Sequence, residues 1–295
     1  MFAIAFVLGA EPVSAECLKT FVSGQKNPLE GNWLFYKGNP PQASAFDAPE
    51  SGWREAPVPG VWKNNPALKS YEGDVWYRCR VRLEGPAEEG LGLLLGVLQD
   101  ADAVFFNGEQ VGQTGSFSPP RADVEKPRLY SLPANLWRQG ENVIAIHLRG
   151  SSSASGIYDV PEIVNESQAA RRLFLRDVTA IVFSCIYVLV ASFFGLFFVY
   201  FPRQRDNLYF ALFSLLLGVY HLIRTWMRYV LFKSFETSYS VELITLFVLP
   251  PIFLNFLIHL IRIKRPTVVL VVQILYAPLI IVTIFANRPA LWSNV

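Results

Sequence analysis

The sequence predicts an all-β sandwich followed by an α-helical transmembrane bundle of about four helices. Three observations carry this. Short apolar runs, several of them alternating, fill residues 33–150 between Gly, Pro and Asn-Gly signals, with no helical period. Apolar stretches of roughly twenty residues follow, each long enough to cross a bilayer as a helix. The hydrophobic residues, 52% of the chain with mean hydropathy +0.30, concentrate in the second half.

In chain order, residues 1–10 form an apolar run, and Val13-Ser14-Ala15 has the small-residue pattern of a signal-peptidase site. Together they predict a secretory signal peptide over 1–15, although the run lacks a Lys/Arg n-region. A buried N-terminal strand is the alternative, since so short a run cannot span a bilayer. Glu16 before Cys17 argues against a lipoprotein site. Residues 16–165 then form the β domain, 166–177 a juxtamembrane linker and 178–295 the membrane helices. Export would permit a disulfide between Cys17 and Cys79. Cys185 falls in an apolar segment as a lipid-facing or packing residue. The three cysteines have no C-x-x-C or nearby histidine spacing, so a zinc site is not expected, and the sequence points to no cofactor.

Within the β domain, Val75, Tyr77, Cys79, Val81 and Leu83 alternate with Trp76, Arg78, Arg80 and Arg82, which marks a strand over Asp74–Glu84 with one buried face. Leu91–Leu98 is more continuously apolar, as for a strand covered on both faces. Asn107-Gly108 follows Ala103–Phe106 and predicts a tight hairpin, because both residues tolerate positive φ. After Glu141-Asn142, Ile144, Ile146 and Leu148 alternate with Ala145 and an outward-facing His147.

Binding residues are sought among exposed aromatics and cations. Trp33, Trp53, Trp62 and Trp76 could stack on sugar rings or fill the core. Trp53 and Trp62 flank Pro57 and Pro59, in what read as loops on a rigid sandwich. Arg78, Arg80 and Arg82 read either as a basic stripe for an anion or as a solvated strand face. The candidate ligand-binding set is Trp53, Trp62, Trp76 and Arg78. No carboxylate pair stands in a recognisable catalytic setting, so the expectation is a binding protein and not an enzyme.

The membrane spans are expected at Val178–Phe201, Leu208–Phe232, Val241–Ile263 and Val268–Ala286. Arg203, Arg205, Arg262, Lys264 and Arg265 make the first and third turns cationic, which places those turns in the cytoplasm. Arg171, Arg172 and Arg176 count the other way, and the signal peptide decides for an outside N-terminus. His221, Arg224 and Arg228 recur at i, i+3 and i+7 and would share one face of the second helix. Glu242 could pair with Arg224 or Arg228, or the arginines could snorkel to headgroups. Pro250-Pro251 and Pro278 fall inside spans, as kinks or as packing residues.

Trp76-Tyr77-Arg78, Leu93-Leu94-Leu95-Gly96, Ala103–Gly112 and Gly140–Ala145 resemble the sugar-binding domain of glycoside hydrolase family 2, a galactose-binding-like jelly roll, over about residues 30–150. The hydrolytic barrel of that family has no counterpart here. Arg171–Phe174, Phe198–Phe213 and Gly218–Leu222 resemble the membrane part of bacterial seven-transmembrane receptors with diverse intracellular signalling modules. Those receptors carry a periplasmic carbohydrate-binding-type β domain before the helices, as here. This chain departs from them in having four expected spans and not seven, and no kinase, cyclase or phosphatase region, so a truncated or split gene product is expected. The resemblance implies a multi-pass inner-membrane sensor whose periplasmic domain binds a small-molecule or carbohydrate ligand. Its partners would be membrane lipid and a separate cytoplasmic effector. A net charge of +2 offers no nucleic-acid surface. The alternatives are a transporter or envelope-polysaccharide membrane component, and a membrane-anchored carbohydrate-active enzyme.

Overall fold

The computed structural model describes residues 18–21, 27–84, 88–118, 120–121, 126–232, 235–262 and 267–285. The expected signal peptide, Cys17, Lys264 and Arg265 lie outside these residues. The chain divides into two compact units, a β unit ending at Glu166 and a helical unit from Ser167.

The β unit is built on two long strands, Gly73–Leu83 and Gly140–Gly150, paired antiparallel along their whole length. They are the middle of a seven-stranded sheet in the order Arg54–Val58, Gly31–Lys37, Gly73–Leu83, Gly140–Gly150, Ala101–Phe106, Glu109–Thr114. Leu18–Phe21 adds in parallel beside the second half of Gly73–Leu83. A four-stranded antiparallel sheet runs Pro127–Leu132, Leu91–Val97, Glu162–Asn165, Asn27–Pro28. The alternation read from the sequence holds. Val75, Tyr77, Cys79, Val81 and Leu83 face the core with Ile144, Ile146 and Leu148, and Leu91, Leu93 and Leu95 of the second sheet join the same cluster. Asn107 and Gly108 take φ of 51° and 95°, the left-handed pair that a two-residue hairpin turn requires. Cys79 is disulfide-bonded, and its expected partner Cys17 lies outside the described residues.

The core also holds a charge pair. Arg128, on Pro127–Leu132, and Asp102, on Ala101–Phe106, are both fully enclosed, and each strand belongs to a different sheet. Arg128 Nε donates to Asp102 Oδ1 at 2.9 Å and its Nη2 to the Asp100 carbonyl at 2.8 Å. Tyr130 Oη donates to Asp102 Oδ2 at 2.5 Å and accepts from Thr114 Oγ1 at 2.8 Å. Burial, reinforced by the adjacent Asp102 carboxylate, drives the Tyr130 pKa far above its ordinary value, so the hydroxyl stays a donor. Burying an ion pair is repaid only when the remaining donors and lone pairs find partners, as they do here.

The helical unit contains α1 (Glu166–Tyr200), α2 (Arg205–Ile223), α3 (Arg228–Leu231), α4 (Phe235–Ile261) and α5 (Thr267–Phe285). Among the described residues three helices, α1, α2 and α4, are long and apolar enough to cross a membrane. Two expectations change. Residues 166–177, expected as a linker, lie inside α1, since Gln168-Ala169-Ala170-Arg171-Arg172-Leu173 are good helix formers. The single span expected over Leu208–Phe232 breaks after Ile223, where the Thr225 hydroxyl bonds back to the Leu222 carbonyl at 2.7 Å and competes with the helix ladder. Cys185 is free and exposed, on α1.

Truncating one member of the Asp102–Arg128 pair strands the other in the core. Arg128→Met should destabilise the chain by about 3–5 kcal/mol, and R128M/D102N should regain part of that loss, because no lone charge then remains. Unfolding by urea in detergent, followed by tryptophan fluorescence, reads both. Equal losses for the single and double variants would show that the pair is not the source of the stability.

Candidate functional site

The outer face of the seven-stranded sheet carries a polar and aromatic shelf. It follows from register: Trp76 stands opposite His147, and Asp74 opposite Arg149. Side chains directly opposite on neighbouring strands lie within contact range. The His147 ring stacks on Trp76 with centroids 4.5 Å apart and planes 4° from parallel. Phe117 stacks on it at 4.4 Å and 15°. Two rings cannot occupy one face of an imidazole, so His147 is held between them. Its Nε2 lies 3.1 Å from Asp74 Oδ1. Asp74 Oδ2 accepts from Asn39 Nδ2 at 3.2 Å and lies 3.6 Å from Arg149 Nη1. Asn39 Oδ1 accepts the Trp76 Nε1 proton at 3.0 Å. Burial lowers the His147 pKa below the ordinary 6.5, and Arg149 lowers it further, while the Asp74 charge and hydrogen bond oppose them. His147 is therefore neutral at pH 7, with its proton on Nε2 facing an acceptor-only carboxylate. Exposed Asn39 and part-exposed Asp74 and Arg149 offer donors and acceptors beside aromatic surface, a combination suited to hydroxyl-bearing rings.

Of the four residues expected to bind ligand, Trp76 stacks under His147 but is itself buried, 9% exposed and clustered with Ala43, Ala145, Trp53 and Phe105, and the others lie elsewhere. Trp62 is fully buried, and its Nε1 donates to Tyr77 Oη at 2.9 Å. With Pro57, Pro59 and Tyr77 it backs a pocket of about 100 Å³. Sites that enclose a small ligand run from roughly 300 Å³ upward, so this one is too small for a sugar ring. Trp53 is half-buried and packs on Tyr36 at 5.7 Å and on the Arg78 guanidinium at 5.5 Å. Arg78 is 2% exposed, and its guanidinium donates to the carbonyls of Ala45, Phe46 and Ala48. It is neither a solvated strand residue nor an open anion site, because it pins the 42–50 segment onto the sheet. The arginine stripe continues as an ion-pair ladder, with Arg80 on Glu50 at 2.7 Å and on Glu141 at 3.5 Å, and Arg82 on Glu141 at 3.3 Å.

Asp74, Asn39 and Phe117 were not singled out by sequence. Only Asp74 carried a signal, since it shares the outer parity of Trp76 on the same strand. Phe117 arrives from a separate two-stranded sheet, Ser116–Phe117 with Pro120–Arg121, which no pattern in the sequence ties to His147.

The four residues expected as an intramembrane polar face, His221, Arg224, Arg228 and Glu242, separate into two groups. His221 stacks on Tyr187 of α1 at 5.6 Å and 13°. Arg224 and Arg228 both meet Glu242 of α4: Arg224 Nη1 lies 3.0 Å from Glu242 Oε1, and Arg228 Nη2 bonds Glu242 Oε2. The shared i, i+3, i+7 face does not form, because α2 ends before Arg228.

Two measurements check the shelf. By NMR, the imidazole signals that disappear in His147→Gln should titrate below pH 6.5, and Asp74→Asn should move that titration lower by removing the opposing carboxylate. A depressed folded-state pKa means the stability from neutral His147 is complete above the unfolded value of 6.5 and falls as the pH drops below it. Separately, Trp62→Ala should cost about 3–5 kcal/mol of stability as a core deletion, whereas Phe117→Ala should cost clearly less. Equal losses would make Phe117 a core residue.

No protein-family model matches this chain, and no curated protein matches it. Among solved structures it is similar to a β-glucuronidase from Bacteroides uniformis, at 20% identity and TM-score 0.39, over 47% of this chain and 17% of that one. It is similar to a β-glycosidase from Bacteroides vulgatus, at 22% identity and TM-score 0.38, over 48% and 20%. It is also similar to a glycosyl hydrolase family 2 member from Bacteroides cellulosilyticus, at 21% identity and TM-score 0.38, over 47% and 20%. The chain spans about a fifth of the length of these proteins.

Proposed function

We propose that this chain is the sensory part of a bacterial inner-membrane receptor. Its jelly-roll β unit lies in the periplasm and binds a carbohydrate at the Asp74–Trp76–His147–Phe117 shelf. The membrane helices, with α5 as a fourth span, carry the event to a cytoplasmic effector. The chain recognises its ligand and does not turn it over.

The observation that carries this reading is the junction between β and helical structure. The Glu162–Asn165 strand pairs with Leu91–Val97, and α1 begins at the next residue, with Glu166 N–H bonded to the Gly90 carbonyl at 2.8 Å. No residue intervenes between the strand and the helix, so the β unit runs into the helical unit through continuous backbone. Other observations agree. The disulfide at Cys79 suits an oxidising compartment. Arg203, Arg205 and Arg262 flank the α1–α2 turn and the end of α4, as the positive-inside rule expects for an outside N-terminus. The domain order is that of the receptors which the sequence motifs resemble. For signalling, the ligand must bind two states of the receptor unequally.

Two experiments test it. The full chain in nanodiscs should bind at least one member of a mono- and oligosaccharide panel. Phe117→Ala should weaken that binding several-fold, the worth of about 1 kcal/mol of stacking, and Asp74→Ala at least as much. A folded chain that binds no glycan would rule out the carbohydrate reading. Reporter fusions after Gly150 and near Phe235 should be periplasmic, and those near Gln204 and Lys264 cytoplasmic. The opposite pattern would exclude a periplasmic sensor.

A further inference from the structure

The helical unit contains a break that is unusual in how it is satisfied. α2 ends at Ile223, and α3 begins at Arg228. In an apolar environment each backbone group released by a break costs several kcal/mol unless it finds a partner. Here the partners are the carboxylate of Asp177 on α1 and the guanidinium of Arg228 at the start of α3. The Trp226 N–H donates to Asp177 Oδ2 of α1 at 2.7 Å, and Asp177 is 6% exposed. The Ile223 carbonyl accepts from Arg228 Nε at 3.0 Å. The guanidinium of Arg228, 4% exposed, pairs with Glu242 of α4, which also receives Arg224 at 3.0 Å. One carboxylate from α1 and one from α4 therefore close on a single four-residue break.

We infer that this break is a joint coupling α1 to α4, with Asp177 and Glu242 as the two groups that hold it shut. Packing alone would leave α1 and α4 free to respond separately. Here each acts on the same short segment. Loss of Glu242 removes the α4 carboxylate that holds the Arg228 guanidinium, which loosens its bond to the Ile223 carbonyl. The segment carrying Trp226 N–H then loses its anchor on one side, and the Asp177 cap weakens although Asp177 itself is untouched. The reverse holds for a displacement of α1. Breaks of a few residues that absorb backbone change are a common form of hinge. The joint stands on its own geometry. Only its purpose, passing motion of α1 to the other helices, rests on the receptor reading.

Amide hydrogen exchange on the full chain in nanodiscs tests the joint with no ligand present, so failure of the glycan screen does not affect it. Asp177→Asn should speed exchange at Trp226 by about tenfold or more, the worth of a hydrogen bond to a charged group. The deciding variant is Glu242→Gln, which keeps the side-chain shape at a residue that, among the described residues, bonds to Arg224 and Arg228 and not to Trp226 or α1. It should also speed exchange at Trp226, and D177N/E242Q should add little beyond the larger single effect. Unchanged Trp226 exchange in E242Q, or additive effects each confined to one helix, would overturn the joint. Should D177N fail to fold, the E242Q result alone decides.

Discussion

The two sheets of the β unit are locked together by an ion pair that never meets water. Asp102 and Arg128 sit at 0% side-chain exposure on strands of opposite sheets, and a chain of further polar contacts leans on them. Arg128 reaches the Asp100 carbonyl, and the Asp100 side chain accepts from Ser151 Oγ at 2.7 Å and Ser155 Oγ at 2.5 Å. The Ser155 carbonyl in turn takes the Trp62 backbone N–H at 2.8 Å. A line of hydrogen bonds thus runs from the intersheet pair to the loop that seats Trp62. Apolar contacts tolerate small slips between sheets. A buried guanidinium with fixed donor directions does not, so the pair sets the alignment that the surrounding hydrophobic side chains then fill.

That alignment divides the labour of the central strands. One face of Gly73–Leu83 is spent wholly on the core. The other is split along its length. Arg78 is roofed by the 42–50 segment, whose Ala43 also clusters with the buried Trp76, and Arg80 pairs with Glu50 of that segment, whereas Asp74 stays partly open. The proposed binding shelf lies at the Asp74 end of that face, with Trp76 buried at its base. Strand register places Asp74, Trp76, His147 and Arg149, and segments outside the central strands bring Asn39 and Phe117 to them. In the helical unit the ionisable residues play a comparable role, satisfying the backbone where a helix stops.

Much of this was legible in the sequence, and what was not has identifiable causes. The alternation at Val75–Leu83, the Asn107-Gly108 turn and the apolar helices were readable because each is a local property with its own period or dihedral demand. The fate of an individual tryptophan was not. Trp53 and Trp62 both read as loop residues, yet one is half-buried and the other lies in the core, and Trp76 on an outer strand face is buried beneath His147, because burial is decided by strands and segments remote in sequence. Arg78 read as surface for the same reason, since its roof is supplied from some thirty positions upstream. The break after Ile223 was hidden because hydropathy averages over a window and cannot register a carbonyl satisfied by a side chain five residues on.

The hairpin turn has a consequence for how the molecule ages. Asn followed by Gly is the sequence most prone to lose its side-chain amide, because the following backbone nitrogen can attack the side-chain carbonyl unhindered. In this fold Asn107 is tied at both ends. Its Nδ2 donates to the Leu136 carbonyl and to Asn142 Oδ1, each at 2.8 Å, and its Oδ1 accepts the Val143 N–H at 2.8 Å. The attack requires rotation out of all three bonds, so the native state shields this residue and the unfolded chain does not. Conversion to aspartate would replace two donated hydrogen bonds by a negative charge facing two acceptor oxygens, and the aged chain would refold less well. Each excursion through the unfolded state thus carries a chemical risk written into the turn that helps to make the sheet.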